Sequence, residues 1–232
     1  MEETANRGLV LLGNKQAEVR QFARPDPQPG GVVVRVKAAG ICGSDLHFYR
    51  STPGELGIRR GVVIGHEPSG VIEAIGRQVN HIKPGDRVTV NHTLGCGRCE
   101  YCVSGHTVLC SENLGIAASG YGGDAEFIRM PATACLPLPT ELSHIEGAFI
   151  ACTGATAYAA LRKLSPSGRD HLVVFGLGPV GLSGIVVGKA LGATVIGVDL
   201  IPERLSLARE LGADETINAV ETDAVPAIRA LT

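Results

Sequence analysis

The chain has 232 residues, 44% hydrophobic and 19% charged, the composition of a water-soluble globular protein with room for more than one core. A formal net charge of -2 and the absence of any dense Lys/Arg run leave no surplus to neutralise phosphates, which excludes nucleic acid as an expected partner. No apolar run approaches the roughly 20 residues of a membrane span, and the start of the chain carries two glutamates and no apolar centre, unlike a secretory leader, so a cytoplasmic location is expected.

Taken in order, residues 8–12 and 17–22 predict a hairpin, residues 25–31 a turn-rich link, and residues 32–37 a strand with apolar alternation. The first half therefore predicts a β-rich, barrel-like body. Next comes Gly40-Ile-Cys42-Gly-Ser44-Asp45-Leu-His47, where a thiolate, a hydroxyl, a carboxylate and an imidazole crowd into eight residues. Such residues suit metal-assisted proton chemistry. Read alone, Cys42 is equally a packed core residue, and Ser44 or Asp45 equally the cap of a short helix reaching Tyr49. Residues 62–65 predict a buried strand ending at Gly65 that presents His66 and Glu67. An imidazole at a strand end suits a metal, and a His-Glu pair is also an ordinary local ion pair. Residues 71–76 and 86–91 continue the strand pattern, with Lys83-Pro-Gly-Asp86 between them as a turn.

Seven cysteines is an odd number, and four of them stand at Cys96, Cys99, Cys102 and Cys110, which points to metal binding in a reducing compartment more than to a disulfide scaffold. Short Cys-x-x-Cys steps let the backbone bend around one ion, and four thiolates close a tetrahedron, the donor set of structural zinc. Disulfides and an iron-sulfur cluster are the other options. With all four positions filled, such a zinc would staple a lobe and take no part in turnover. His92, just before this lobe, is either a pocket residue favouring a polar substrate or an ordinary surface histidine. Residues 125–130 predict a strand after Tyr121-Gly-Gly-Asp124, residues 131–138 an extended link, and residues 143–164 helix. Cys152 lies within that helical stretch among small residues, a pattern that by itself favours tight packing.

From His171 the architecture changes. A strand over residues 172–175 runs into Gly176-Leu-Gly178-Pro179-Val180-Gly181 and a helix ending near Gly192, and a second strand over residues 194–198 stops at Asp199. This context makes the glycine string a dinucleotide site. The glycines allow a tight turn, pyrophosphate against backbone amides at a helix N-terminus, and close helix packing. Asp199 is placed to accept the adenosine ribose hydroxyls, favouring NAD over NADP, although Arg204 is either a 2′-phosphate partner or a helix-surface charge. A helix over 202–211, a strand over 214–218 and a helix over 221–231 complete one mononucleotide-binding half of a doubly wound parallel sheet.

Together these motifs resemble the zinc-containing medium-chain alcohol and polyol dehydrogenase family over essentially the whole chain. The resemblance implies an α/β protein with a GroES-like β-barrel catalytic domain over residues 1–153 and an incomplete Rossmann NAD-binding domain over 154–232. It implies a catalytic zinc on Cys42, His66 and Cys152, with Glu67 as a carboxylate available for transient binding and Asp45 as the partner of His66. It also implies the lobe zinc on the four clustered cysteines, and a proton relay through Ser44 and His47. The expected reaction transfers hydride between an alcohol or polyol and NAD, giving aldehyde or ketone, in a homo-oligomer if a longer chain exists. Two cues on substrate pull apart: Gly-Ser-Asp-Leu-His is reminiscent of polyol, diol and threonine dehydrogenases, whereas Cys152 is the third ligand of the alcohol type. The alternative is a truncated relative that binds zinc and part of NAD without catalysis; a quinone or enal reductase is disfavoured because that group generally lacks these zinc ligands.

Overall fold

The computed structural model describes residues 5–52, 63–116 and 122–232. They fall into two compact units, Met1–Cys152 and Thr153–Thr232.

In the first unit β1 (Ala5–Gly13) and β2 (Gln16–Ala23) form an antiparallel hairpin. Strand β3 (Gly31–Gly40) leads into helix α1 (Gly43–Arg50), and β4 (Glu67–Ile75) and β5 (Arg87–Val90) follow. The short strands β6 (Thr93–Leu94) and β7 (Leu114–Gly115) pair with each other around a lobe containing α2 (Glu100–Val103). Then come β8 (Phe127–Pro131), β9 (Cys135–Pro137) and helix α3 (His144–Phe149). The main sheet is antiparallel in the order β8-β3-β4-β5-β9. Its inner face is the apolar half of each alternation: Val32, Val34, Ile72, Val88, Val90, Ile128 and Met130 are all essentially inaccessible. Each such side chain contributes about 1.5–3 kcal/mol of burial, so the sheet is a firm base for the loops at its edge. Isolated bridges from Gly8 to Ala125 and from Val10 to Val63 tie the hairpin to that edge.

Two expectations need correction. His66 does not follow a strand: Val63 makes only the isolated bridge to Val10, Val62 lies outside the described residues, and the strand begins after His66, at Glu67. The apolar run before Gly65 satisfies its backbone against the β1 strand on one side and the segment before β8 on the other, with Ile64 N–H donating to Leu9 and Asp124 N–H donating to Ile64. Residues 131–138 are not merely extended, because β9 closes the sheet against β5.

In the second unit α4 (Ala155–Leu164) ends at Ser165, in the left-handed region at φ 49°. Parallel strands β10 (His171–Phe175), β11 (Thr194–Asp199) and β12 (Glu215–Asn218) alternate with α5 (Pro179–Ala190), α6 (Pro202–Glu210) and α7 (Ala224–Leu231). Pro179 opens α5 where its missing N–H costs nothing. Leu177, Ile185, Val195, Leu205 and Ala208 pack the layer between α5, α6 and the sheet.

Candidate metal centres and nucleotide site

Cys42 leaves β3 and caps α1, its amide donating to Asp45 Oδ2 at 2.8 Å. The capping carboxylate is thus Asp45 reaching back from the third helical position, and Ser44 stays exposed in the first turn. The other oxygen of Asp45 stands 3.4 Å from His66 Nδ1, and Asp45 is only 2% exposed. One carboxylate therefore braces both Cys42 and His66. Glu67, buried at the start of β4, brings Oε1 to 4.0 Å from His66 Nε2. Cys152 arrives from the far end of the unit on a single π turn, Ile150–Gly154, between α3 and α4. Such turns widen the backbone and re-aim a side chain. Donor atoms of Cys42, His66, Glu67 and Cys152 all lie within 4.8 Å of one another.

The charges around this cluster call for a cation. Two thiols and the carboxylates of Glu67 and Asp45 surround one imidazole. His66 is accordingly pulled up to about 11, first by Asp45 and then by the Cys152 sulfur. Cys42 resists desolvation and is held below the usual thiol range by hydrogen bonds from Ser44 and by His66. Asp124, whose role the sequence did not announce, is pushed up to about 7 by burial and then by Asp45 and Glu67. Its backbone sits beside the turn at Gly65, which adopts φ 89° and has room for no side chain there: a Cβ would meet Asp124 Oδ1 at 2.2 Å. Soft thiolates, an imidazole and a carboxylate at this spacing fit zinc.

Four further sulfurs, of Cys96, Cys99, Cys102 and Cys110, converge within 4.8 Å in the lobe, and all seven cysteines are unlinked. Cys96 and Cys102 sulfurs stand 4.0 Å apart, and a zinc tetrahedron with arms of about 2.3 Å has edges of roughly 3.8 Å. The Cys96 sulfur accepts from the Cys99 amide at 3.4 Å, and the Cys110 sulfur from the Cys96 amide at 3.4 Å. Amides of Arg98 and Cys99 draw Cys96 down to about 6, whereas loss of water contact drives Cys102 up to about 12.

His47 is exposed on α1, three residues beyond Ser44. His92 is half-buried; its Nδ1 lies 3.1 Å from the Ala151 carbonyl and its ring meets His66 edge to face, 5.4 Å between centroids. It is therefore no ordinary surface histidine.

At the other site, Gly176 turns at φ 84°, Gly178 caps α5, and Gly181 sits so close to the turn that a Cβ would meet the Gly176 carbonyl at 1.8 Å. Pro179 and Val180 form the first helical positions beyond Gly178. Asp199 ends β11, 8% exposed. Its oxygens accept from the amides of Leu177 (2.6 Å), Leu200 (2.7 Å) and Ile201 (3.0 Å), and Arg204 stands 3.6 Å away. Burial alone would raise this carboxyl; the three amides and Arg204 outweigh it and hold it below its ordinary range. Arg204, though exposed, is thus paired with the acid that ends the strand.

Fold and donor sets define one class. The chain belongs to the zinc-containing medium-chain alcohol and polyol dehydrogenase family: residues 28–140 match the alcohol dehydrogenase GroES-like domain, and residues 179–232 match the zinc-binding dehydrogenase family. It is 39% identical over 228 residues to the zinc-type alcohol dehydrogenase-like protein YphC of Escherichia coli (strain K12), covering 94% of this chain and 64% of YphC. Sorbitol dehydrogenase of Bacillus subtilis (strain 168) is 36% identical over 232 residues, covering 97% of this chain and 65% of that enzyme. Among solved structures, alcohol dehydrogenase TADH from Thermus sp. ATN1 superposes with a TM-score of 0.89 at 36% identity, over 97% of this chain and 67% of that one. The chain spans about two thirds of the length of the curated relatives it matches.

Proposed function

We propose that this chain is a zinc-dependent oxidoreductase that transfers hydride between an alcohol or polyol and NAD, giving an aldehyde or ketone. The observation that carries the reading is the convergence of Cys42, His66, Glu67 and Cys152, brought from three distant segments to within 4.8 Å. Zinc held there would supply Lewis acidity that lowers the pKa of a substrate hydroxyl. Around it Asp45 fixes the orientation of the His66 ring, and Glu67 supplies a carboxylate that can engage or withdraw. Ser44 would take the hydroxyl proton and His47 would carry it to solvent, and NAD, when bound, would supply the hydride acceptor. Carbonyl reduction is the same path reversed. Cys96, Cys99, Cys102 and Cys110 would hold a second zinc, which would staple the lobe and, with four protein ligands, take no part in turnover.

Gly176, Gly178 and Gly181, with the N-terminus of α5 at Pro179 and Val180, receive the pyrophosphate. Asp199 takes the adenosine ribose hydroxyls, and its charge disfavours the 2′-phosphate of NADP; Arg204 tempers that preference. The test is zinc content and turnover of the purified chain with an alcohol and polyol panel and each nucleotide. Cys42→Ala and His66→Ala should each lose one zinc and all activity while the fold persists. Full turnover by either variant overturns the assignment. Zinc and nucleotide binding without turnover of any panel member would instead favour a non-catalytic binding relative.

A further inference from the structure

His92 belongs to neither donor set, yet it touches both of the site's later-arriving segments. Its ring packs edge to face on His66, with an interplanar angle of 68°. Its Nδ1 lies 3.1 Å from the carbonyl of Ala151, the residue immediately before Cys152. A carbonyl only accepts, so this contact requires the proton on Nδ1 and fixes the tautomer. His92 is itself anchored, its own carbonyl accepting from the Ile116 amide at 3.1 Å, just beyond the end of β5. Ala151 lies inside the π turn, where the regular helical register is broken and the backbone has more than one way to continue. Something outside the helix must select the register that aims Cys152 at the other donors.

We propose that His92 is a positioning residue of the four-donor metal centre: its Nδ1–H clamps the π-turn carbonyl of Ala151, and its ring buttresses His66. The proposal rests on the zinc reading above. The clamp makes the Cys152 sulfur part of a preformed site, so losing it lets the turn relax and swings Cys152 away from Cys42 and His66. Partners of this kind typically change metal affinity by about 10–100-fold.

The experiment compares the full chain with H92F and H92N, each loaded with zinc and separately with cobalt(II). Phe keeps a ring against His66 without a donor; Asn offers an N–H close to the position of Nδ1 without the ring. Metal release to a chelator and the thiolate-to-cobalt absorption are read, with C42A identifying the signal of this site. The lobe ion in the same molecule reports that the unit is folded. H92F should weaken the four-donor site by about 10–100-fold and diminish its thiolate absorption, with the lobe unchanged, and H92N should recover most of the affinity. Wild-type affinity and spectrum in H92F, or a loss in H92N as large as in H92F, would overturn the clamp while leaving the zinc reading intact. A wild-type chain that retains only the lobe ion would overturn both.

Discussion

Gly40 and Glu67 meet across the β3–β4 pair with no space between them: a Cβ on Gly40 would fall 2.1 Å from Glu67 Oε2. The carboxylate lies where any side chain at position 40 would lie. Gly40→Ala must therefore displace Glu67 from the donor cluster or deform the strand, at a cost of about 1–3 kcal/mol. We expect the variant to fold, to keep its lobe zinc and to hold the other ion more weakly. Metal analysis after dialysis, alongside a melting curve, checks this; wild-type retention of both ions would count against the packing argument.

The lobe tests the opposite case, an ion that matters for stability. Its four sulfurs sit on short turns with little core of their own, so a zinc bound there as proposed would replace burial as the source of order. Cys99→Ala should cost at least ~3 kcal/mol, a fall in Tm of roughly 6–12 °C for a chain of this size. Calorimetry with and without chelator should show the same loss in the wild type and little further loss in the variant.

Acid should act on the nucleotide unit through Asp199. Its folded-state pKa is depressed, so the stability it contributes is fully present above the unfolded value near 3.9 and is lost as pH falls through the folded value. Asp199→Asn puts an N–H where an amide donor must be accepted. Wild type should be the more stable at pH 6, and the gap should narrow as pH drops from about 4 to 3. Parallel melting curves at these pH values decide it, and a gap independent of pH would contradict the account.

Thiol reactivity separates Cys135 from Cys42 and Cys96. Cys135 is 5% exposed and burial pushes its thiol up to about 12, leaving almost no thiolate at neutral pH. Once metal is stripped under native conditions, iodoacetamide should label Cys42 and Cys96 well before Cys135. Peptide mass spectrometry gives the order of labelling.

The second unit was the more readable half because each of its devices is local. A strand, a glycine turn and a helix follow one another within about 20 residues, and the acid that ends β11 marks its own place. The lobe was legible for the same reason, with four ligands inside residues 96–110. In the first unit the sequence pointed to Cys42, His66 and Cys152 but could not show that they meet. Apolar residues before Gly65 read as a strand, yet Val63 makes only an isolated bridge to β1, and the strand starts at Glu67. The π turn has no periodic signature, so residues 143–164 read as continuous helix. Asp124, Gly40 and His92 owe their roles to neighbours more than 20 residues away, which no local pattern records. The Gly-Gly-Asp run was the one available hint for Asp124, since paired glycines admit a close backbone approach.

The two donor sets differ in how much chain must be gathered to make them. The lobe needs only the loop from Cys96 to Cys110, whereas the other set waits for Cys152 to join Cys42 across most of the first unit. Closing the short loop costs little entropy and requires no completed sheet. On the two-zinc reading, a nascent chain would take up its first ion while still emerging, but the second only after the strands have paired. If both sets take zinc as proposed, scarcity of the metal would yield molecules half-metallated in one particular way: lobe filled, the Cys42–His66–Cys152 site empty.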